Sequence, residues 1–217
     1  MPPTLLQIQQ VARQVVDLFK NAQLNSCLCG GVACTLYGTT RTPNDVDILV
    51  LSTQYHTESL KQYIAGQSSN FFLRDSQKIG ATYKILYCRI GSAQECKVDI
   101  LTPGILNIPH IPTNRLLFSD KLPVMPIIPL LLLKLQTWAN HCDSDMPGKR
   151  AKVPYDVQDV DQLLGIAISR DDEQMSQAAT WLPAAFIQAG RNHAVRYLQE
   201  SSTSKTANDW RSIGVNL

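Results

Sequence analysis

Thirteen residues after the Gly30-Gly31 pair, two aspartates interrupt an otherwise apolar run in CGGVACTLYGTTRTPNDVDILVL, residues 29–51. With a period of two, Asp45, Asp47 and Leu49 leave one face of a strand over 45–51. Val46, Ile48 and Val50 leave the other face, toward a core. Neighbouring carboxylates on one strand face repel each other and lose solvation. Such an arrangement persists when a positive group, most often a divalent metal, sits between them. The bland alternative is a solvated strand end. The sharp one is the seed of a phosphoryl-chemistry site.

The flanking sequence supplies an α/β frame for that strand. Leu5, Ile8, Val11, Val15, Leu18 and Phe19 form a helical stripe that predicts a helix over 5–22. A strand over 25–29 runs into Gly30-Gly31, and a short helix over 32–37 ends at Gly38. Further on, the pattern predicts a helix over 55–64 and strands over 71–73, 82–90 and 95–101, the last two joined by a hairpin turn at 91–94. In the last strand, Lys97, Asp99 and Leu101 share one face, and Cys96, Val98 and Ile100 the other. The segment 103–129 contains Pro103, Pro109, Pro112, Pro123, Pro126 and Pro129 and reads as a connection winding over a surface. Helical patterns follow over 130–142, 156–168, 173–179 and 184–198, and the polar residues from Ser201 onward are expected to fray. The expected fold class is α+β: a mixed sheet flanked by helices over 1–122, then a helical part over 123–217.

Composition narrows the function classes. At 44% hydrophobic and 18% charged residues, 217 residues can bury a substantial core, which excludes global disorder. A formal charge of +2 gives no broad electrostatic grip on nucleic acid, although a local basic patch is compatible with it. The start of the chain, Pro2-Pro3 and then an amphipathic segment, does not read as a secretory leader. The apolar run Ile127–Leu133 contains Pro129 and stops at Lys134, short of the roughly 20 residues a membrane span needs. A soluble, cytoplasmic protein with no membrane partner is expected. Its oligomeric state is not legible. Cys27, Cys29, Cys34, Cys88, Cys96 and Cys142 form no CxxC pair, and His56, His110, His141 and His193 show no ligand spacing, so buried reduced thiols fit better than zinc.

Asp99 completes the acidic set. It interrupts an apolar strand as Asp47 does, and three carboxylates on one face of two neighbouring strands could hold two magnesium or manganese ions about 3.5–4 Å apart. One ion would ride with a nucleoside triphosphate. The other would lower the pKa of an attacking hydroxyl, with Asp99 as ligand or general base. Gly30 and Gly31 would let backbone amides approach phosphate oxygens at a helix N-terminus. Arg41, between two threonines, either touches the triphosphate or anchors its loop.

Gly30 to Leu49 resembles the signature of the nucleotidyltransferase superfamily, with its polymerase β-like minimal fold: Gly-Gly, a spacer, then Asp-x-Asp among apolar residues. Asp99 is similar to the third acid of that superfamily. The form GGVA…YG…RTPNDVDILV most resembles small stand-alone members, the antibiotic-modifying and abortive-infection transferases. The resemblance covers about 75 residues directly, and it implies a mixed sheet followed by a helical bundle. KRAKVPYDVQDVDQ, residues 149–162, resembles the basic stretch plus Asp-x-x-Asp of several small members, but has Tyr155 where a lysine commonly precedes the aspartate. By that likeness Lys134 would bind phosphate, Asp156 would support the cleft, and Lys149 and Lys152 would contact phosphate or acceptor. Each has a plainer reading: Lys134 snorkelling to water, Asp156 as a helix N-cap, Lys149 and Lys152 in a solvated loop.

The function expected from these residues is magnesium-dependent transfer of a nucleoside monophosphate from a triphosphate to an acceptor hydroxyl, with release of pyrophosphate. The acceptor would be a small molecule or a tRNA end. The alternatives are a non-catalytic nucleotide-binding protein that keeps the fold, and a two-metal nuclease or phosphatase, which leaves the Gly-Gly loop unexplained.

Overall fold

The computed structural model describes residues 2–78, 80–91, 94–170 and 174–217, so the expected turn residues Ser92 and Ala93, and Glu173 of the third expected rear helix, lie outside the described residues. The chain divides into two compact units, residues 1–36 with 42–125 and residues 37–41 with 126–217.

The first unit is built on one mixed sheet. Helix α1 (Leu5–Asn21) begins with a capping box in which Thr4 and Gln7 satisfy each other's backbone amides. It buries Ile8, Val11, Ala12, Val15 and Phe19. Strand β1 (Ser26–Cys29) leads into α2 (Gly30–Tyr37), then β2 (Asp45–Val50), α3 (Thr57–Gln67), β3 (Phe71–Asp75), β4 (Lys84–Ile90) and β5 (Gln94–Leu101). Two short strands, β6 (Leu117–Ser119) and β7 (Leu122–Val124), complete the sheet in the order β3-β4-β5-β2-β1-β7-β6. Strand β2 pairs parallel with β5 and antiparallel with β1. Leu28, Val46, Ile48, Val50, Leu86, Val98 and Ile100 form one core with the apolar sides of α1 and α3. Each such side chain, fully buried, contributes about 1.5–3 kcal/mol.

The proline-rich stretch is not only a connection, because β7 lies beside β1 and the Met125 amide donates to the Leu28 carbonyl at 2.9 Å. Pro123 hides this strand, since proline cannot donate to a ladder; three residues suffice because Met125 supplies the donor. The first unit runs to Met125. Helix α2 also starts at Gly30 rather than at 32.

In the second unit, α4 (Ile127–Cys142) begins before Pro129, a position where a missing amide costs no intrahelical bond. It packs against α6 (Val153–Ile168) and α8 (Ala184–Glu200), with the short helices α5 (Pro147–Arg150) and α7 (Met175–Ala178) between these elements in sequence. Between α4 and α8, a Cβ on Gly190 would lie 2.7 Å from a Leu132 methyl carbon, so a larger residue there would require the Leu132 side chain to shift. The polar tail does not fray. It forms α9 (Ala207–Ser212), capped by Thr206 and Asp209, with Trp210 fully buried and edge-on to Tyr197 at 6.4 Å. Asp161 accepts from the Tyr197 hydroxyl at 2.9 Å and from the Ser204 amide at 3.2 Å, tying the tail to α6. We expect Trp210→Ala to cost about 3–5 kcal/mol, the scale of truncating a buried tryptophan, read as a fall in the urea midpoint. An unchanged midpoint would show the tail to be dispensable.

Burial pushes the Cys27 and Cys96 thiols up to about 12 and Cys88 up to about 11, so all three stay protonated and unreactive. Cys88 and Cys96 face each other across β4 and β5 as free thiols.

Candidate active site

Cys29, Asp47 and Asp99 form one cross-strand row, because Asp47 is in register with Cys29 on β1 and with Asp99 on β5. Asp45, two residues earlier, is in register with Lys97. Val46, Ile48, Val98 and Ile100 are the buried alternates of these strands, so Asp45, Asp47, Lys97 and Asp99 all emerge on the opposite face. Parallel pairing puts Asp47 and Asp99 about 4.8 Å apart along the row.

Gly30 adjoins that row where β1 turns into α2. Its φ is +57°, a conformation that costs other residues about 1–2 kcal/mol. A Cβ there would fall 1.8 Å from Asp47 Oδ2. The glycine thus makes room for a carboxylate at the start of α2, where the positive end of the helix dipole favours an anion. Gly31, next in the helix, is buried. We expect Gly30→Ala to lower the denaturant midpoint by more than the left-handed backbone cost alone, because Asp47 must also move. Retention of the parent midpoint would contradict the close approach.

Asp99 has a partner that its alternation with Lys97 made visible but did not assign: the Lys97 ammonium donates to Asp99 Oδ2. Burial pulls the Lys97 pKa down, but this bond and the charges of Asp99, Asp45 and Asp47 outweigh it and hold the ammonium above its ordinary value. Among the described residues, no three Asp, Glu, His or Cys side chains gather to enclose a metal. Asp45 and Asp47 supply hard oxygen donors of the kind magnesium takes, an ion commonly held by one or two carboxylates plus substrate phosphates. Asp99 is matched to an ammonium instead.

The other candidate residues belong to the second unit. Arg41 donates through Nε and an Nη to the two oxygens of Asp159, at 2.8 and 2.6 Å. Lys134 donates to the same carboxylate at 2.8 Å. Lys134 is buried and Asp159 is 1% exposed, so Lys134 does not snorkel to water. Burial raises the Asp159 pKa, yet the Arg41 hydrogen bonds and the Lys134 charge prevail and hold it below the usual carboxylate range. Asp156 lies inside the first turn of α6 rather than at its N-cap, which is Lys152, and meets His141 Nδ1 at 2.6 Å. Burial raises the Asp156 pKa against the pull of His141. Lys149 and Lys152 are exposed. The sequence thus brings Asp45, Asp47, Asp99, Gly30 and Gly31 together in one unit, and Arg41 with Lys134 in the other. Asp159 and His141 were missed; the only signal for Asp159 was its place as the second acid of Asp-x-x-Asp.

No protein-family model matches the chain, and no curated protein matches it. Solved structures do. A nucleotidyltransferase-like protein from Paracoccidioides brasiliensis, described as antigenic, superposes with a TM-score of 0.63 at 13% identity, over 98% of this chain and 94% of that one. The chain has a nucleotidyltransferase-like fold. ANT(2″)-Ia, solved with adenylyl-2″-tobramycin, also matches at a TM-score of 0.47 and 10% identity, over 88% of this chain and 99% of that one. Asp45 and Asp47 on β2 and Asp99 on β5 sit on neighbouring central strands of the sheet. Among the described residues, no helix is long and apolar enough to cross a membrane.

Proposed function

We propose that the chain is a divalent-metal-dependent nucleotidyltransferase, which moves a nucleoside monophosphate from a triphosphate to an acceptor hydroxyl. The observation that carries the reading is the Asp47 carboxylate packed against side-chain-free Gly30, in register with Asp99, on a sheet of this fold. Asp45 and Asp47 would hold magnesium or manganese, which when bound neutralises phosphate charge and polarises the reacting oxygens. Gly30 and Gly31 leave the start of α2 open to phosphate oxygens. Asp99 accepts the hydrogen of the acceptor hydroxyl and aims that oxygen at the α-phosphorus. One P–O bond forms there, the bond to the β-phosphate oxygen breaks, and pyrophosphate leaves.

The acceptor is a small molecule or a tRNA end. The formal charge of +2 favours the small molecule, since a long nucleic acid is usually gripped by a basic face. Incubation with α-labelled triphosphates and cellular small molecules or RNA tests this, and the species that gains label is the acceptor. A non-catalytic nucleotide binder is the second reading, favoured by one observation: Lys97 already engages Asp99. Triphosphate binding by calorimetry with no pyrophosphate release from any acceptor pool would establish that reading instead.

A further inference from the structure

Lys97 is the residue of this site that the reaction scheme leaves without a role. It stands in register with Asp45 across β2 and β5, and it shares a strand face with Asp99, two residues on. Its ammonium therefore lies among the acids, bonded to one of them. The Lys97 and Asp99 side chains are 37% and 33% exposed, so burial does not shut water or ions away from Asp99. What stands in the way of a second cation at that carboxylate is the charge already there. An ammonium and a divalent ion beside the same oxygen repel each other, and a lysine tethered by its own strand is always present at the site, whereas an ion must be recruited from solution.

We infer that Lys97 is a built-in cation filling the place beside Asp99 that a second divalent ion would take, so that the chain holds a single metal at Asp45 and Asp47. This rests on the proposed assignment of Asp45 and Asp47 as metal ligands. A simple surface ion pair would share the geometry, but its lysine would yield to an added divalent ion and its removal would open no site. Lys97 is thus a positioning residue: it orients Asp99 and sets the number of ions.

The test counts bound manganese per full-length chain by paramagnetic resonance of the free ion, with and without a non-hydrolysable triphosphate analogue. The parent is expected to bind one ion and Lys97→Met two. Lys97→Met combined with Asp99→Asn is expected to return the count to one. Lys97→Gln, which keeps a polar head, provides the same comparison should the methionine variant fail to fold, as judged by thermal unfolding. Equal counts in the parent and the Lys97 variants overturn the inference, as does a parent count of two. The failures separate cleanly: a parent that binds one ion while Lys97→Met gains none leaves the Asp45 and Asp47 assignment standing. A parent that binds none refutes that assignment and the inference with it.

Discussion

Asp47→Asn is expected to lose nucleotidyl transfer by on the order of 100- to 1000-fold or more, while the fold is kept. The scale is that of removing one preorganised charge-stabilising group from an active site. The substitution replaces a carboxylate oxygen by an amide of nearly equal volume, so the contact with Gly30, where a Cβ would fall 1.8 Å from Asp47 Oδ2, is not crowded further. Asp47 is only half-buried, and its neighbours on the core face, Val46 and Ile48, are untouched. The loss of charge removes a cation ligand and leaves the packing alone. Loss of pyrophosphate release at saturating triphosphate, beside unchanged thermal unfolding, is the expected pair of results. Parent-rate turnover would remove Asp47 from the chemistry. Loss of the unfolding transition would make its role structural.

Asp159→Ala is expected to destabilise the second unit on the same scale as Trp210→Ala. Asp159 is 1% exposed, and its two oxygens receive Arg41 and Lys134. Removing the carboxylate breaks a buried charge network by taking its acceptor from Arg41 and Lys134, at a cost of about 3–5 kcal/mol. The same group sets an acid limit. Its pKa is held below the ordinary value by Arg41 and Lys134 despite burial, so its contribution is complete above about pH 4 and is lost as pH falls through the lowered value. Asp156 works in the opposite sense. Its pKa is raised by burial, so its contribution belongs to acid solution and fades as pH rises through the raised value. Asp159→Asn should therefore flatten the acid limb of the melting temperature against pH relative to the parent, since Asp156 is common to both. An acid limb of unchanged slope would mean that Asp159 carries no such linkage.

The acidic row was legible because strand alternation is a strong signal: apolar residues on both sides of Asp47 and Asp99 fix which face each carboxylate takes. The sheet on which they meet was legible for the same reason, apart from the short strands β6 and β7 within the proline-rich stretch, where Pro123 breaks the pattern that announces β7. Gly30 was read as open backbone for phosphate; its close approach to Asp47 was not legible, because only the register of β1 and β2 brings that residue beside it. Lys97 was seen to share a face with Asp99, but pairing within a strand depends on rotamers that alternation does not encode. Arg41 and Asp159 lie 118 residues apart, and no local period links them. The tail was misread because its buried apolar residues, Trp210, Ile213 and Val215, are few and set in a polar segment, and its ties to Asp161 and the Thr206 cap leave no stripe in the sequence.

The claim at the centre of this account is that the row on β2 and β5 directs attack at the α-phosphorus. Parallel reactions with α-labelled and γ-labelled triphosphate, acceptor pools present, test it most directly. Transfer of the α label to an acceptor, with the γ label leaving as pyrophosphate, is the predicted result. Transfer of the γ label, or its release as inorganic phosphate while the α label stays on the nucleotide, would contradict it.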